Sequence, residues 1–192
     1  LQGGPFNVEL LTVTPLFQTV SMISSTGIAA PGFPSWGALT VMVILMMMFM
    51  GACAGSTSGG AKIDRFIVLF KFLKNEFYKI IHPNAVTTVT LNGKGTQPGN
   101  IYKTLAFLFM YIFIILIGGT VISLSGLPLG DSLFSALQAI SNTGIGTDAT
   151  GTVGDFAAVA DYVKWIRAFI MLIGRLEIFT VLVVLTYGFW RR

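Results

Sequence analysis

The chain has 192 residues, 54% of them hydrophobic and only 10% charged, where an ordinary soluble domain carries roughly 25% charged residues. With a mean hydropathy of +0.79 and 22 glycines, most soluble folds are excluded. Disorder is excluded as well, and the composition reads as a membrane protein with much special backbone. A single cysteine, Cys53, and a single histidine, His82, rule out an intrachain disulfide and a protein zinc site. The sequence starts at Leu1 with no initiator methionine and no basic stretch before an apolar run, so no signal peptide is visible and the chain reads as a piece of a longer one.

In chain order, Glu9 to Ile23 is apolar but too short to cross a bilayer, with Pro15 placed to kink or delimit it. It runs into Ser24-Ser25-Thr26-Gly27-Ile28-Ala29. From Trp36 to Ser58 there is no ionisable side chain except Cys53, and the centre, Val41 to Met50, is uniformly apolar; this is a first spanning helix. Its end, Gly51-Ala52-Cys53-Ala54-Gly55-Ser56-Thr57-Ser58-Gly59-Gly60, holds four glycines and three hydroxyls. Each glycine weakens a helix by about 1 kcal/mol relative to alanine, and Ile63 to Ile81 then resumes a helical pattern of mixed apolar and basic residues. A helix, an unwound stretch at membrane depth and a second helix are expected. The stretch is read as a mobile gate, or as a glycine hinge at the cytoplasmic interface. His82, before Pro83, is read as a cap or turn residue.

A second span follows Lys103 and continues to about Leu124. Asp131 to Ile140 is another segment too short to cross, with Asp131-Ser132 after Gly130 as its expected N-cap. It runs into Ser141-Asn142-Thr143-Gly144-Ile145-Gly146. The third span lies between Trp165 and Trp190 and carries Arg175 and Glu177 near its middle. An arginine at mid-bilayer costs roughly 2.5 to 3.5 kcal/mol on insertion scales, so it should face protein or water. Residues two apart on a helix point to different faces, so Glu177 is not its obvious partner; it would meet another helix or the gate hydroxyls. A structural ion pair with other groups is the alternative.

Seven of the twelve Lys and Arg lie between Lys62 and Lys103, and Arg191-Arg192 follow the third span, whereas residues 1–35 and 119–162 have none. The positive-inside rule puts the basic connection and the C-terminus in the cytoplasm. Topology accounts for the basic stretch without a nucleic-acid partner.

Placing Gly27 over Gly144, a shift of 117 residues, also aligns Phe17 with Phe134 and Ser24 with Ser141. Each unit then reads as short helix, glycine-centred loop and membrane helix, an internal repeat. A short helix entering from outside aims its partly negative C-terminal end inward, which favours a cation, and loop carbonyls can replace the cation's hydration shell. Ser25-Thr26-Gly27-Ile28-Ala29 and Asn142-Thr143-Gly144-Ile145-Gly146 resemble degenerate forms of the potassium-channel filter word Thr-Val-Gly-Tyr-Gly. Ala29 departs from glycine, which suggests a looser outer site.

Catalysis fits poorly. Gly55 to Lys62 lacks the Gly-Lys-Ser/Thr ending of a phosphate-binding loop and no strand precedes it. Ser58 as a hydrolase nucleophile would need a base, and His82 lies in the basic cytoplasmic region. The protein is not expected to be an enzyme.

These words, with Gly51 to Gly60, His82-Pro83-Asn84-Ala85-Val86 and Gly174-Arg175-Leu176-Glu177-Ile178-Phe179, resemble the Trk/Ktr/HKT superfamily of potassium transporters, most nearly the C-terminal portion of the bacterial Trk-type membrane subunit. The resemblance covers essentially the whole chain. It implies an all-α, potassium-channel-like membrane fold of helix, pore helix, helix (M1-P-M2) repeats with re-entrant filter loops. Residues 1–81 would hold the pore helix, filter loop and broken second helix of repeat three, residues 82–100 a cytoplasmic connector, and residues 101–192 all of repeat four. It further implies uptake of potassium, passive or by symport, across the bacterial inner membrane, with no organic cofactor. The potassium filter would use Ser25, Thr26, Gly27, Ile28, Asn142, Thr143, Gly144 and Ile145. Gly51 to Gly60 would be the gating loop and Arg175 a pore-facing charge near it. The implied partners are the remaining repeats of the same pore, a second copy of the subunit, a cytosolic nucleotide-binding regulatory ring and membrane lipid. Two alternatives stand beside this reading: a two-repeat subunit that completes its pore by homodimerisation, and a non-conducting membrane anchor or regulatory subunit.

Overall fold

In the structure, a computed structural model, residues 12–30, 36–85, 87–91, 94–144 and 159–191 are described. Within them the helices are α1 (Thr14–Ile23), α2 (Ala38–Met50), α3 (Ile63–Ile81), α4 (Pro98–Ser123), α5 (Leu129–Ser141), α6 (Asp161–Arg175), α7 (Ile178–Leu185) and α8 (Tyr187–Trp190). Between α3 and α4 a short antiparallel ribbon pairs β1 (Thr90–Leu91) with β2 (Lys94–Gly95).

The longest apolar run forms the longest helix. With Pro98 in its first turn and no charge after Lys103, α4 runs for 26 residues, and among the described residues it alone is both long and apolar enough to cross a membrane. The span expected from Trp36 to Ser58 is shorter as a helix: α2 has 13 residues and stops where Gly51 adopts φ 67°. The third span is also not continuous. Leu176 closes α6 by donating its N–H to Leu172 O, Glu177 takes a left-handed φ of 58°, and α7 starts from there. α5 begins at Leu129, two residues before the expected cap, with Pro128 supplying the extended residue ahead of the first turn and Asp131 inside that turn. The ribbon is a small departure from an all-α chain.

α4 packs along α5, and α5 in turn along α6. Their shared core holds Phe107, Tyr111, Ala139, Ile140, Ile170 and Ile173, with Ile178 of α7 closing one end. α1 lies on α2, and Met22, Ile44 and Met48 meet Phe134 of α5, which joins the two halves of the chain. On the connector side Val68 of α3, Val89 beside the ribbon and Ile101 of α4 form a separate small core, and the Lys71 ammonium donates to Thr90 O at 2.7 Å. His82 is the C-cap residue of α3, its N–H on Tyr78 O and its ring 4.7 Å from that of Tyr78.

Outward faces of α2 (Leu39, Met42, Met46) and α4 (Phe109, Ile112, Leu116) are half or more exposed or nearly so. Apolar area on that scale is what a helix offers to lipid or to further helices.

Tyr111 is 1% exposed, packed edge-on against Phe49 and stacked with Phe107, and its hydroxyl has no hydrogen-bond partner among the described residues. Tyr111→Phe should therefore leave thermal stability in detergent unchanged or raise it by about 1 kcal/mol, because a desolvated polar group is removed. Tyr111→Ala, which empties the same site, should lower it by about 3 to 5 kcal/mol.

Candidate functional site

Two helices end in the same turn. At the end of α1, Ser25 N–H donates to Met22 O at 3.2 Å and Thr26 N–H to Ser21 O at 2.9 Å. At the end of α5, Asn142 N–H donates to Ala139 O and Thr143 N–H to Gln138 O, both at 3.1 Å. Each is a Schellman closure, in which a left-handed residue lets the chain double back onto its own last carbonyls. Ser25 has φ 56° and Asn142 φ 55°; Gly27 has φ 78° and Gly144 φ 81°. The side chains follow: Ser24 Oγ and Thr26 Oγ1 are 2.7 Å apart, Ser141 Oγ and Thr143 Oγ1 2.9 Å apart. Every one of these pairs is related by the 117-residue shift seen in the sequence.

The fold brings the two turns against each other. A Cβ on Gly27 would overlap the carbonyl of Thr143, so glycine is required by contact as well as by its positive φ. Beyond Gly27 the first loop is tied to its own helix: Ser21 Oγ accepts from Ile28 N–H at 2.9 Å and donates to Ile28 O at 2.7 Å, and Gln18 Oε1 accepts from Ala30 N–H at 2.7 Å. The expectation that Ile28 offers its carbonyl to an ion thus meets a competing hydrogen bond from Ser21. Ile145 lies outside the described residues.

The glycine-rich stretch after α2 is irregular throughout and folds back on its start. Ala61 N–H donates to Phe49 O and Ile63 N–H to Ala52 O, each at 3.1 Å. Its far end sits under both turns. Gly59 N–H donates to Ser25 Oγ at 3.0 Å, and a Cβ on Gly59 would overlap the Ser141 carbonyl. Ser56 Oγ accepts from Ser58 N–H at 3.1 Å, while Cys53 is exposed. Arg175 reaches the same stretch, its Nη1 donating to Thr57 O at 2.7 Å.

Glu177 does not touch the hydroxyls of the stretch. Its carboxylate, half exposed, receives Arg65 Nη2 at 3.3 Å and faces Lys62 Nζ at 3.6 Å. The Arg65 guanidinium also lies 3.6 Å over the Phe107 ring. The break at Leu176 and Glu177 is what separates the two charges: Arg175 ends α6 toward the stretch, and Glu177 faces the start of α3. A cavity of about 230 Å3 opens between the stretch and Gly174 to Glu177.

Several residues of this arrangement are not singled out by sequence pattern. Asp64 accepts from Ala54 N–H at 2.7 Å, and Lys62 Nζ donates to Ala54 O at 3.3 Å, so the two residues flanking the start of α3 hold the loop tip. Their signal was their place, the first charges after an uncharged run. Arg167, 5% exposed on α6, donates to Gln138 Oε1 at 3.4 Å behind the second turn. Its signal was a second arginine in the third apolar segment, between Trp165 and Arg175.

A family model described as "TrkH: Cation transport protein" matches residues 7–187. The chain is 37% identical over 192 residues to the Trk system potassium uptake protein TrkI of Halomonas elongata, covering 100% of this chain and 39% of that protein. It is 32% identical over 188 residues to the Trk system potassium uptake protein TrkH of Escherichia coli K12, covering 97% of this chain and 38% of that one. The crystal structure of the potassium transporter TrkH from Vibrio parahaemolyticus superposes with a TM-score of 0.81 at 32% identity, over 91% of this chain and 37% of that chain. The chain thus spans little more than a third of the length of these relatives. It belongs to the TrkH family of cation transport proteins.

Proposed function

We propose that this chain is the C-terminal part of the pore subunit of a potassium-uptake transporter in the bacterial cytoplasmic membrane, with the basic connector and C-terminus on the cytoplasmic side. The observation that carries the reading is the pair of matched turns, closed the same way at the ends of α1 and α5 and set against each other at Gly27 and Thr143. Residues 1–81 serve as pore helix, filter loop and broken second helix of one repeat, residues 82–100 as connector, and residues 101–192 as a complete M1-P-M2 repeat.

In this reading the ion is held by carbonyls of Ser25, Thr26, Gly27 and Ile28 and of Asn142, Thr143, Gly144 and Ile145. Oxygen dipoles at such positions replace the hydration shell of a monovalent cation, and the partly negative ends of α1 and α5 add to them. Two such words cannot ring an ion. That the relatives are more than twice as long supports the remaining repeats of the same polypeptide as the source of the other words, ahead of a pore completed by homodimerisation or a non-conducting anchor. A homodimer and a cytosolic nucleotide-binding ring complete the proposed assembly, and potassium is cargo, moved passively or with a coupled ion.

Gly51 to Gly60 acts as the gate. It lies directly beneath the filter turns, and three of the bonds that hold it, Gly59 N–H to Ser25 Oγ, Ala54 N–H to the Asp64 carboxylate and Arg175 Nη1 to Thr57 O, are single hydrogen bonds that can be exchanged as the loop moves. Arg175 places a fixed positive charge there, which raises the barrier to a cation while the loop is closed.

In the full-length transporter reconstituted in liposomes, Gly144→Ser should lower the preference for potassium over sodium about tenfold or more, since a left-handed φ is strained for serine and reorients the adjoining carbonyls. An unchanged preference in a transporting variant would refute the filter assignment. For the gate, deleting several residues within Gly51 to Gly60 should raise basal potassium flux; a well-assembled variant with parental or lower flux would count against gating.

A further inference from the structure

The first turn is gripped from behind by one residue on both sides of its glycine. Ser21, 4% exposed, uses its main-chain carbonyl to hold Thr26 N–H at 2.9 Å and its hydroxyl to hold both polar groups of Ile28, the N–H at 2.9 Å and the C=O at 2.7 Å. A hydroxyl can accept and donate at once, so a single Oγ suffices. Gly27 lies between the two held residues with φ 78°. Gln18, 0% exposed and one turn earlier on α1, continues the grip to Ala30 N–H at 2.7 Å.

We propose that Ser21, supported by Gln18, is the positioning residue that sets the spacing of the first filter loop and so its discrimination between potassium and sodium; the inference rests on the reading of residues 25–28 as a filter. With the peptides before and after Ile28 both fixed to α1, the carbonyls of Ser25 to Gly27 cannot close onto a smaller ion without breaking a hydrogen bond to the Ser21 hydroxyl. The repeat makes the assignment specific. The matching position, 117 residues on, is Gln138, which keeps the main-chain bond to Thr143 N–H at 3.1 Å but turns its side-chain oxygen to Arg167 of α6. The main-chain grip is thus common to both turns, while the hydroxyl that grips Ile28 has no counterpart in Gln138 and is carried by one side chain that can be changed without replacing a proposed ion ligand.

Ser21→Ala, Ser21→Thr and a Gly27→Ser control, each in the full-length transporter in liposomes, separate the possibilities through competitive uptake of potassium, rubidium and sodium. Ser21→Ala should still transport potassium but lose about tenfold in potassium over sodium preference, the ratio that the net worth of one hydrogen bond carries. Ser21→Thr, which keeps the hydroxyl, should stay within about twofold of the parent on the same ground. A transporting Ser21→Ala with the parental ratio overturns the proposal. If Gly27→Ser alters the ratio in the same assay, only the role of Ser21 falls; if it too leaves the ratio unchanged, the filter reading falls with it. Should Ser21→Ala fail to assemble, Ser21→Cys takes its place under the same criteria, and loss of assembly in both assigns Ser21 a structural role and overturns the proposal.

Discussion

The arrangement depends on backbone packed against backbone at the C-terminal end of α5. Three segments far apart in sequence close on its last carbonyls: Gly27 on that of Thr143, Gly59 on that of Ser141, and Gly174 on that of Ile140. At each contact a Cβ would overlap a main-chain atom, which no rotamer change relieves. Methyl groups at these points would force the first turn, the irregular stretch after α2 and the last turn of α6 away from one another. Such contacts are available only where side chains are absent, and they let loops approach as closely as the small-residue seams of membrane helices.

A second constraint follows from where these loops sit. Irregular backbone within an apolar layer must find its partners inside the protein, because hydrocarbon offers none and an unpaired group costs several kcal/mol. The two glycine-centred turns meet this demand by folding back on their own helices, and the stretch from Gly51 to Lys62 by pairing its two ends through Phe49, Ala52, Ala61 and Ile63. Side chains that can let go hold further groups of the stretch: Asp64 on Ala54, Ser25 on Gly59, Arg175 on Thr57. The loop is thus tied by backbone bonds at its base and by single side-chain bonds toward its tip. The Glu177 side chain is half exposed while Lys62 and Arg65 are about one-fifth exposed, so these pairs contribute little to stability, on the order of 1 kcal/mol, and serve to align α3 with α7.

Much of this was readable in advance where physics acts locally. The 117-residue repeat was visible because glycine in a tight turn and hydroxyls beside it are local requirements, and the left-handed angles of both copies agree to within a few degrees. The irregular stretch after α2 was visible for the same reason. The β1–β2 ribbon has a local signal too: Asn92-Gly93, a dipeptide suited to a two-residue hairpin turn, follows the β-branched run Thr87-Thr88-Val89-Thr90 closely. The break at Glu177 was not legible. Leu176-Glu177-Ile178 has neither glycine nor proline, and the apolar run continues past it, so nothing local stops the helix. The positive φ at Glu177 instead accompanies ion pairs with partners over a hundred residues earlier, Lys62 and Arg65.

By itself, then, the sequence determined the apolar runs, the uneven placing of charge and the two glycine-centred turns, because hydrophobic length, loop charge and left-handed backbone are each decided within a few residues. Which turn faces which, and what Gly59, Arg175 and Glu177 each hold, were decided only in the tertiary structure. Those contacts depend on distances between residues that lie many positions apart along the chain, and no pattern within one segment encodes them.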